Sequence, residues 1–406
     1  MTCIQTLKNE IDIFPSNSEV TIFHDEFLST EIFDHVTITR KTILSGLNIQ
    51  LDDNFYRRCL FVVSIRFKDI EIGVRESPVK TLIFKKNNYK LGIFVRSAIF
   101  SPENVGLYTN DIIWEKCPHD LFEGIDQIID SVAASNDHTQ LKNSIAIQAQ
   151  DCWVAGTDGN ISRRYKLSGS LPFDMNIEGS ILKPLLPKLR KRDVIRIAEH
   201  EYKDEFDLIC GFAFDLGEFR IFIPKLDYEE ILKEITSGSY KEWPEPDTEY
   251  WKEEHEEAML ARDYRQCRFP LKIKNLVPLI NGYFDTPCQI LIKLPKTIKQ
   301  SVKPFLKSDF LSLIIENDTL RIVATDDHGD MAANAATIGD YSSAKGNFLI
   351  EVPTAHFYSS IDSDSLMGFK STNQINALSE KDLWSGFVYI KGKNRETIIT
   401  GFIKFF

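Results

Sequence analysis

The chain has 406 residues, 43% of them hydrophobic and 26% charged, with 28 Phe and a formal net charge of −11 from 48 Lys and Arg against 59 Asp and Glu. That much apolar side chain excludes disorder as the dominant state, and the lack of any run of about 18 apolar residues excludes a membrane-spanning helix. The acidic balance excludes a surface coated all over with phosphate-binding cations, while leaving room for a local basic face.

At about 150 residues per domain the length predicts two to four domains. The seven cysteines, at positions 3, 59, 117, 152, 210, 267 and 288, are scattered and never spaced Cys-x-x-Cys. This predicts reduced thiols in a cytoplasmic protein, not a disulfide frame or a zinc ribbon. The opening Met1-Thr2-Cys3-Ile4-Gln5 has neither the basic start nor the apolar run of a signal peptide, which agrees with a cytoplasmic location.

Along the chain, strand signals come first, at 20–23, 61–67, 70–74 and 82–84. A helical period follows at Leu121, Ile125, Ile128, Ile129 and Val132, predicting a helix over 121–135. Strands are predicted at 144–150 and at 173–177, the latter entering a helix over 181–192, and then at 194–197, 208–214 and 219–223. Residues 243–257 are rich in acids and hold Pro244 and Pro246, so they predict an exposed connection with a helix over 250–262. Beyond it, Ile298, Val302, Phe305 and Leu306 mark a helix over 296–307. Strands at 310–315 and 320–323 flank Asn317-Asp318 as a hairpin. A strand over 348–353 enters a helix over 355–361, and strands at 366–369, 375–377, 386–389 and 397–402 close the chain.

The order of elements is repeated. In both 118–235 and 285–406 a helix leads into an apolar strand and then a Thr-Asp corner, Ala155-Gly156-Thr157-Asp158-Gly159 in one and Val323-Ala324-Thr325-Asp326-Asp327-His328 in the other. Glu351-Val352-Pro353 opens a helix downstream of the second corner. These segments resemble the repeated domain of bacterial DNA polymerase III β sliding clamps, the processivity rings of DNA replication. Asp227-Tyr228-Glu229-Glu230-Ile231 is similar to the segment that closes that family's middle domain. The resemblance implies an α+β fold of repeated DNA-clamp domains, antiparallel sheets outside and short helices lining the inner face. The chain then divides into a β-rich domain over 1–117, clamp-like domains over 118–245 and 269–406, and an acidic connector over 246–268. Residues 1–117 carry no Thr-Asp turn and are read as a diverged third copy or as a separate β-rich domain.

The resemblance also implies a non-enzymatic protein without metal or cofactor that encircles double-stranded DNA regardless of sequence. It implies docking of a DNA polymerase and clamp-loader-like proteins. Because the family closes its ring with six domains, three per chain favour a head-to-tail homodimer; two per chain would favour a trimer or an open form. A clamp that slides needs cations opposite the phosphates and few base contacts. Lys296, Lys299, Lys303 and Lys307 recur at +3, +4 and +4 and so share one helical face, with Ile298, Val302, Phe305 and Leu306 on the other. Pro304 shortens or kinks the last turn. The second basic segment carries Lys183, Lys188, Arg190, Lys191 and Arg192 around the packing residues Leu182, Leu185, Leu186 and Leu189, with Pro187 awkward in a helix interior. Acids at Glu123, Asp126 and Asp130, and at Asp362 and Asp364, interrupt a basic lining on the other helices.

For partner docking, the resemblance points to Thr157, Gly159, Asn160, Ile161 and Ile231, and to Ile403, Phe405 and Phe406. Asn160-Ile161-Ser162 departs from the family's His-Arg-Leu, so a groove there has a changed specificity. An aromatic ending suits docking; it also suits a strand pairing at the edge of the last sheet, and the two are compatible.

Two other functions compete. Asp326, Asp327, His328 and Asp330 offer oxygen and nitrogen ligands for a divalent metal, which would make a nuclease or other hydrolase. A hairpin turn favours Asp and Gly for backbone reasons alone, and the first corner has one acid and no His. A non-DNA interaction scaffold on a clamp fold is the other. Glu253-Glu254-His255-Glu256-Glu257 lacks the second His of a zincin helix, and no phosphate loop, nucleophile elbow or kinase set is present.

Overall fold

The structure, a computed structural model, describes residues 2–3, 21–24, 28–33, 36–41, 49–52, 59, 61–63, 65–97, 106–132, 144–158, 161–203, 208–226, 284–285, 288, 290–316, 319–325, 331–337, 341–342, 348–370 and 384–405. These form antiparallel strands with a few short helices, the α+β class expected.

The same order of elements occurs three times. The second round starts with a short strand (Glu115–Lys116), helix α1 (Leu121–Ile128) and a 3-10 turn (Ile129–Ser131). A meander of three strands follows (Ser144–Gln148, Trp153–Thr157, Ile161–Lys166). Strand Met175–Glu178 then enters α2 (Gly179–Leu182) and α3 (Leu186–Leu189), before a second meander (Arg196–Lys203, Leu208–Asp215, Arg220–Pro224). The third round repeats this with Ile290–Lys293, α4 (Ile298–Val302), the meander Phe310–Glu316, Thr319–Thr325 and Met331–Thr337, strand Phe348–Pro353 into α5 (Thr354–Ser360), and the meander Leu366–Lys370, Trp384–Lys391 and Arg395–Phe405. The N-terminal third shows the order as well: Thr2–Cys3, then Thr21–His24, Leu28–Phe33, Val36–Lys41 and Ile49–Asp52, helical residues at 59, 61–63 and 65–66, and the meander Asp69–Arg75, Thr81–Lys86 and Tyr89–Phe94.

The chain divides into two compact units, Met1–Asp126 with Ala149–Cys152 and Leu167–Leu226, and Gln127–Gln148 with Trp153–Lys166 and Asp227–Phe406. In the first, Arg220–Pro224 pairs with Val36–Lys41, Ile221 opposite Ile38, and so joins two meanders into one sheet of nine strands. A separate four-stranded sheet ends on Tyr89–Phe94. Phe122 of α1 packs on Phe214, ring centroids 5.4 Å apart, and Leu182, Leu185, Leu186 and Leu189 are all buried.

In the second unit, strand Arg395–Phe405 is the spine. Its first residues pair with Ile161–Lys166, Arg163 opposite Thr397, and its last pair with Phe348–Pro353, Phe405 opposite Phe348. Its other edge pairs with Trp384–Lys391. The sheet ends on Met331–Thr337. Along Phe310–Glu316 the inward positions Leu311, Leu313 and Ile315 alternate with more exposed ones, the period of a strand with one covered face. They pack with Ile298, Val302, Ile350, Val352 and Phe357, each such side chain contributing roughly 1.5–3 kcal/mol. Gly156 is fixed by space: a Cβ there would lie 2.5 Å from Cγ2 of Val132.

Two expected elements are corrected. Residues 61–67, expected as a strand, are helical at 61–63 and 65–66, and the Phe67 N–H donates to the Val63 carbonyl at 3.0 Å. Cys59 and Val63, four apart, are buried, while Phe61 and Ile65 stay 58% and 69% exposed; apolar residues all round the helix mimic a strand run. The helix expected over 181–192 is two single turns. Pro187 falls in the first turn of α3, where a missing N–H costs nothing.

Candidate nucleic-acid interface

Around α4, Lys296, Lys303 and Lys307 are exposed while Ile298, Val302 and Phe305 are buried. Leu306, expected on the packing side, is 42% exposed. The chain tightens into a 3-10 turn at Lys303–Phe305, with Pro304 inside it, and three residues per turn in place of 3.6 rotate the following side chain off the buried face. Lys299 is half-buried. Its Nζ donates to the Ile361 carbonyl at 3.2 Å, just past the end of α5, and lies 5.2 Å from the Tyr358 ring. It therefore satisfies an orphan carbonyl and sits at the negative end of a helix dipole.

On the other basic segment Lys183, Lys188, Arg190 and Lys191 are exposed and Arg192 is half-buried. Arg190 Nη1 is 2.8 Å from Asp126 Oδ2 of α1. Arg192 pairs with Glu218 and lies 5.0 Å from the Phe219 ring. Two of the five cations are thus locally neutralised. Among the described residues Lys183, Lys191, Lys296, Lys303 and Lys307 have no ion-pair partner.

At the first Thr-Asp corner the side chains close the turn. Thr157 is buried; its Oγ1 donates to the Ile161 carbonyl at 3.0 Å and lies 2.8 Å from Ser162 Oγ. Asp158 Oδ1 accepts from the Ile161 N–H at 2.8 Å. Ile161 is 1% exposed and belongs to the core around α4. Ile403 and Phe405 are rungs of the last strand, opposite Ile350 and Phe348. Gly159, Asn160, Ile231 and Phe406, and the acidic connector, lie outside the described residues, as do Asp326, Asp327, His328 and Asp330. Among the described residues no three His, Cys, Asp or Glu stand together as metal ligands, and no helix is long and apolar enough to cross a membrane.

Three arginines escaped the sequence reading. Arg163 is 2% exposed; its Nη2 donates to Ser359 Oγ at 2.5 Å and Ser360 Oγ at 3.3 Å at the end of α5. Burial, and next the Arg395 guanidinium, lower its pKa to about 10, so it stays charged at neutral pH. Arg395 bridges Gln127 at the end of α1, the Ser360 carbonyl and Asp362. Arg164, on the opposite face of its strand, is sandwiched between the Trp153 and Phe284 rings at 4.3 and 4.5 Å and bonds Glu396 at 2.8 Å. The alternation of a strand was the available signal: Ile161, Arg163 and Tyr165 share the inward side.

No family model matches the sequence, and no curated protein does. Solved structures match in fold. The DNA polymerase sliding clamp of Pseudomonas aeruginosa is 12% identical, over 98% of this chain and 98% of that one, with a TM-score of 0.63. That of Bacillus subtilis is 12% identical, over 98% and 97%, with a TM-score of 0.64. The β clamp of Helicobacter pylori, solved with a DNA ligase peptide, is 12% identical over 98% and 97%, with a TM-score of 0.60. The chain has the fold of the bacterial DNA polymerase III β sliding clamps in a divergent sequence, and the likeness takes in the N-terminal third.

Proposed function

We propose that the chain is a non-enzymatic sliding clamp that closes as a head-to-tail homodimer around double-stranded DNA and docks a DNA polymerase and clamp-loader-like partners. One regularity carries this. Arg220–Pro224, the last strand of the second round, pairs with Val36–Lys41, the third strand after the opening strand of the first. Arg395–Phe405, the last of the third round, pairs with Ile161–Lys166, the third strand of the first meander of the second. The same rule sets Tyr89–Phe94 of one copy against Met331–Thr337 of another, and these two strands are where their sheets end. Two copies of three rounds then complete six.

In this reading 1–117, 118–245 and 269–406 are three clamp domains, with 246–268 a connector. The exposed lysines around α4 and in 181–192 meet phosphates without reading bases, which keeps binding weak, salt-sensitive and mobile. Partners bind near the first Thr-Asp corner, which the buried Thr157 and Ile161 support from within, with Gly159, Asn160 and Ile231, beside Ile403, Phe405 and Phe406. The test is topological. Loaded protein stays on nicked circular DNA and runs off the same DNA once it is cut open. Equal retention on both would reject encirclement, and a solution mass of one chain would reject the closed dimer.

A further inference from the structure

In the first unit, the segment leading to α1 lies over the second meander of its round. Leu107 is buried with Ala198, Ala213 and Phe222, and Tyr108, Ile112, Trp114, Tyr202 and Ile209 surround them half-covered. Beside this patch is an open cavity of about 390 Å³ lined by Tyr108, Ile195, Arg196, Asp215, Gly217 and Arg220, among others.

Its wall is a guanidinium–aromatic ladder. The Arg220 guanidinium lies 4.3 Å from the Tyr108 ring and 4.9 Å from the Trp114 ring, and that of Arg196 lies 5.4 Å from Trp114. One carboxylate serves both arginines: Asp215, 5% exposed, is 2.5 Å from Arg196 Nη2 and 3.6 Å from Arg220 Nε. Its other oxygen accepts from the Gly217 N–H at 2.9 Å, with Gly217 at φ +82°. At the rim Glu218 is taken by Arg192. Three arginines against two carboxylates leave one positive charge in excess. Arg196, its side chain 43% exposed, is the guanidinium open to solvent. Apolar surface adjoins it: Ile195 is 54% exposed, and Ile113, next to Trp114, is 82% exposed.

We propose that this cavity docks a linear peptide of a partner protein that carries an acidic side chain beside a bulky apolar one. The acid pairs with Arg196, because a guanidinium offers more donors than Asp215 uses. The apolar side chain covers Ile195 and the Tyr108 edge, surface of the kind that anchors interfaces. A nucleic-acid strand is the poorer fit: its string of phosphates would meet Glu218 and Asp215 with only one cation in surplus. Arg192, which holds Glu218 at the rim, belongs also to the basic segment of the proposed DNA face; the site shares no residue with the corner at Thr157, and neither Arg196 nor Ile195 is part of that face.

The full chain, methyl-labelled at Ile, is titrated with Ac-Glu-Leu-Phe-NH2, Ac-Gln-Leu-Phe-NH2 and Ac-Lys-Leu-Phe-NH2 while Ile113 and Ile195 are followed. The Glu peptide is expected to bind about tenfold more tightly than the Lys peptide. Arg196→Ala removes that preference, Arg196→Lys keeps part of it, and Ile195→Asp, at an exposed position, weakens all three peptides. No shift at about 5 mM peptide, equal affinity for the Glu and Lys peptides, or unchanged binding by Arg196→Ala overturns the proposal. So does displacement of the Glu peptide by an oligothymidine at equal charge concentration. Retention on nicked circular DNA, read on the same variants, stays at the parent level, so failure of this site and failure of the clamp reading are separate results.

Discussion

Lysines that look alike in the sequence do different work. Lys299 is tied to the end of α5, so Lys299→Ala is expected to lower stability by about 0.3–1 kcal/mol in urea denaturation. Changing Lys296, Lys303 and Lys307 together to Glu leaves the denaturation midpoint in place, weakens DNA association and reduces its log–log salt slope by about 3; an unchanged slope would remove α4 from the DNA face. Cys117 sets an alkaline limit. Burial, then Asp120, push its pKa from 9.0 to about 12. The native thiol keeps its proton where the unfolded one loses it, so this stabilisation is full below 9.0 and is lost as pH rises towards about 12. The urea midpoint should fall above that onset, and Cys117→Ala should flatten the fall; an identical profile in the variant would assign the loss elsewhere. Burial raises the Tyr108 and Tyr389 phenols too. The +3, +4, +4 spacing made the lysine stripe legible. It could not show that α5 ends against Lys299, or that Arg190 meets Asp126, 64 residues away in sequence.

Among elements, the meanders with their Thr-Asp corners were readable because strand alternation and turn chemistry are local. The helical residues at 59, 61–63 and 65–66 were not, because their solvent side carries Phe61, Val62 and Ile65, and only the tertiary position of Cys59 and Val63 selects the helical period. Gly156, in the strand that enters the first corner, has a backbone with no need of glycine; it clears Val132 and Ile128 of the segment before it. Gly156→Val should cost about 1–3 kcal/mol or more by overpacking, measured as a shift in the urea midpoint. A variant as stable as the parent would mean that the 129–132 segment moves aside freely.

At the scale of the whole molecule, the family fold was legible from two rounds, and the first round was hidden because it lacks the Thr-Asp turn and its helix imitates a strand. In the dimer proposed above, the strand rule that joins the rounds would put the closing edge at Tyr89–Phe94. Tyr89–Phe94 ends its sheet with Phe94 76% exposed and Lys90 its one charged residue, an edge left free to pair. Phe94→Lys should halve the solution mass, keep the circular dichroism of the parent and abolish retention on nicked circles. A variant that stays dimeric would move the subunit contact away from this strand.

Strand Arg395–Phe405 also dictates an order of events during synthesis. The last residue assigned to the first unit is Leu226, so all of its strands are synthesised before the second unit is complete. Ile161–Lys166 and Phe348–Pro353, by contrast, each wait for the same latecomer. Until residue 405 clears the ribosome, both keep a naked hydrogen-bonding edge, and that interval is when the nascent chain most needs a chaperone.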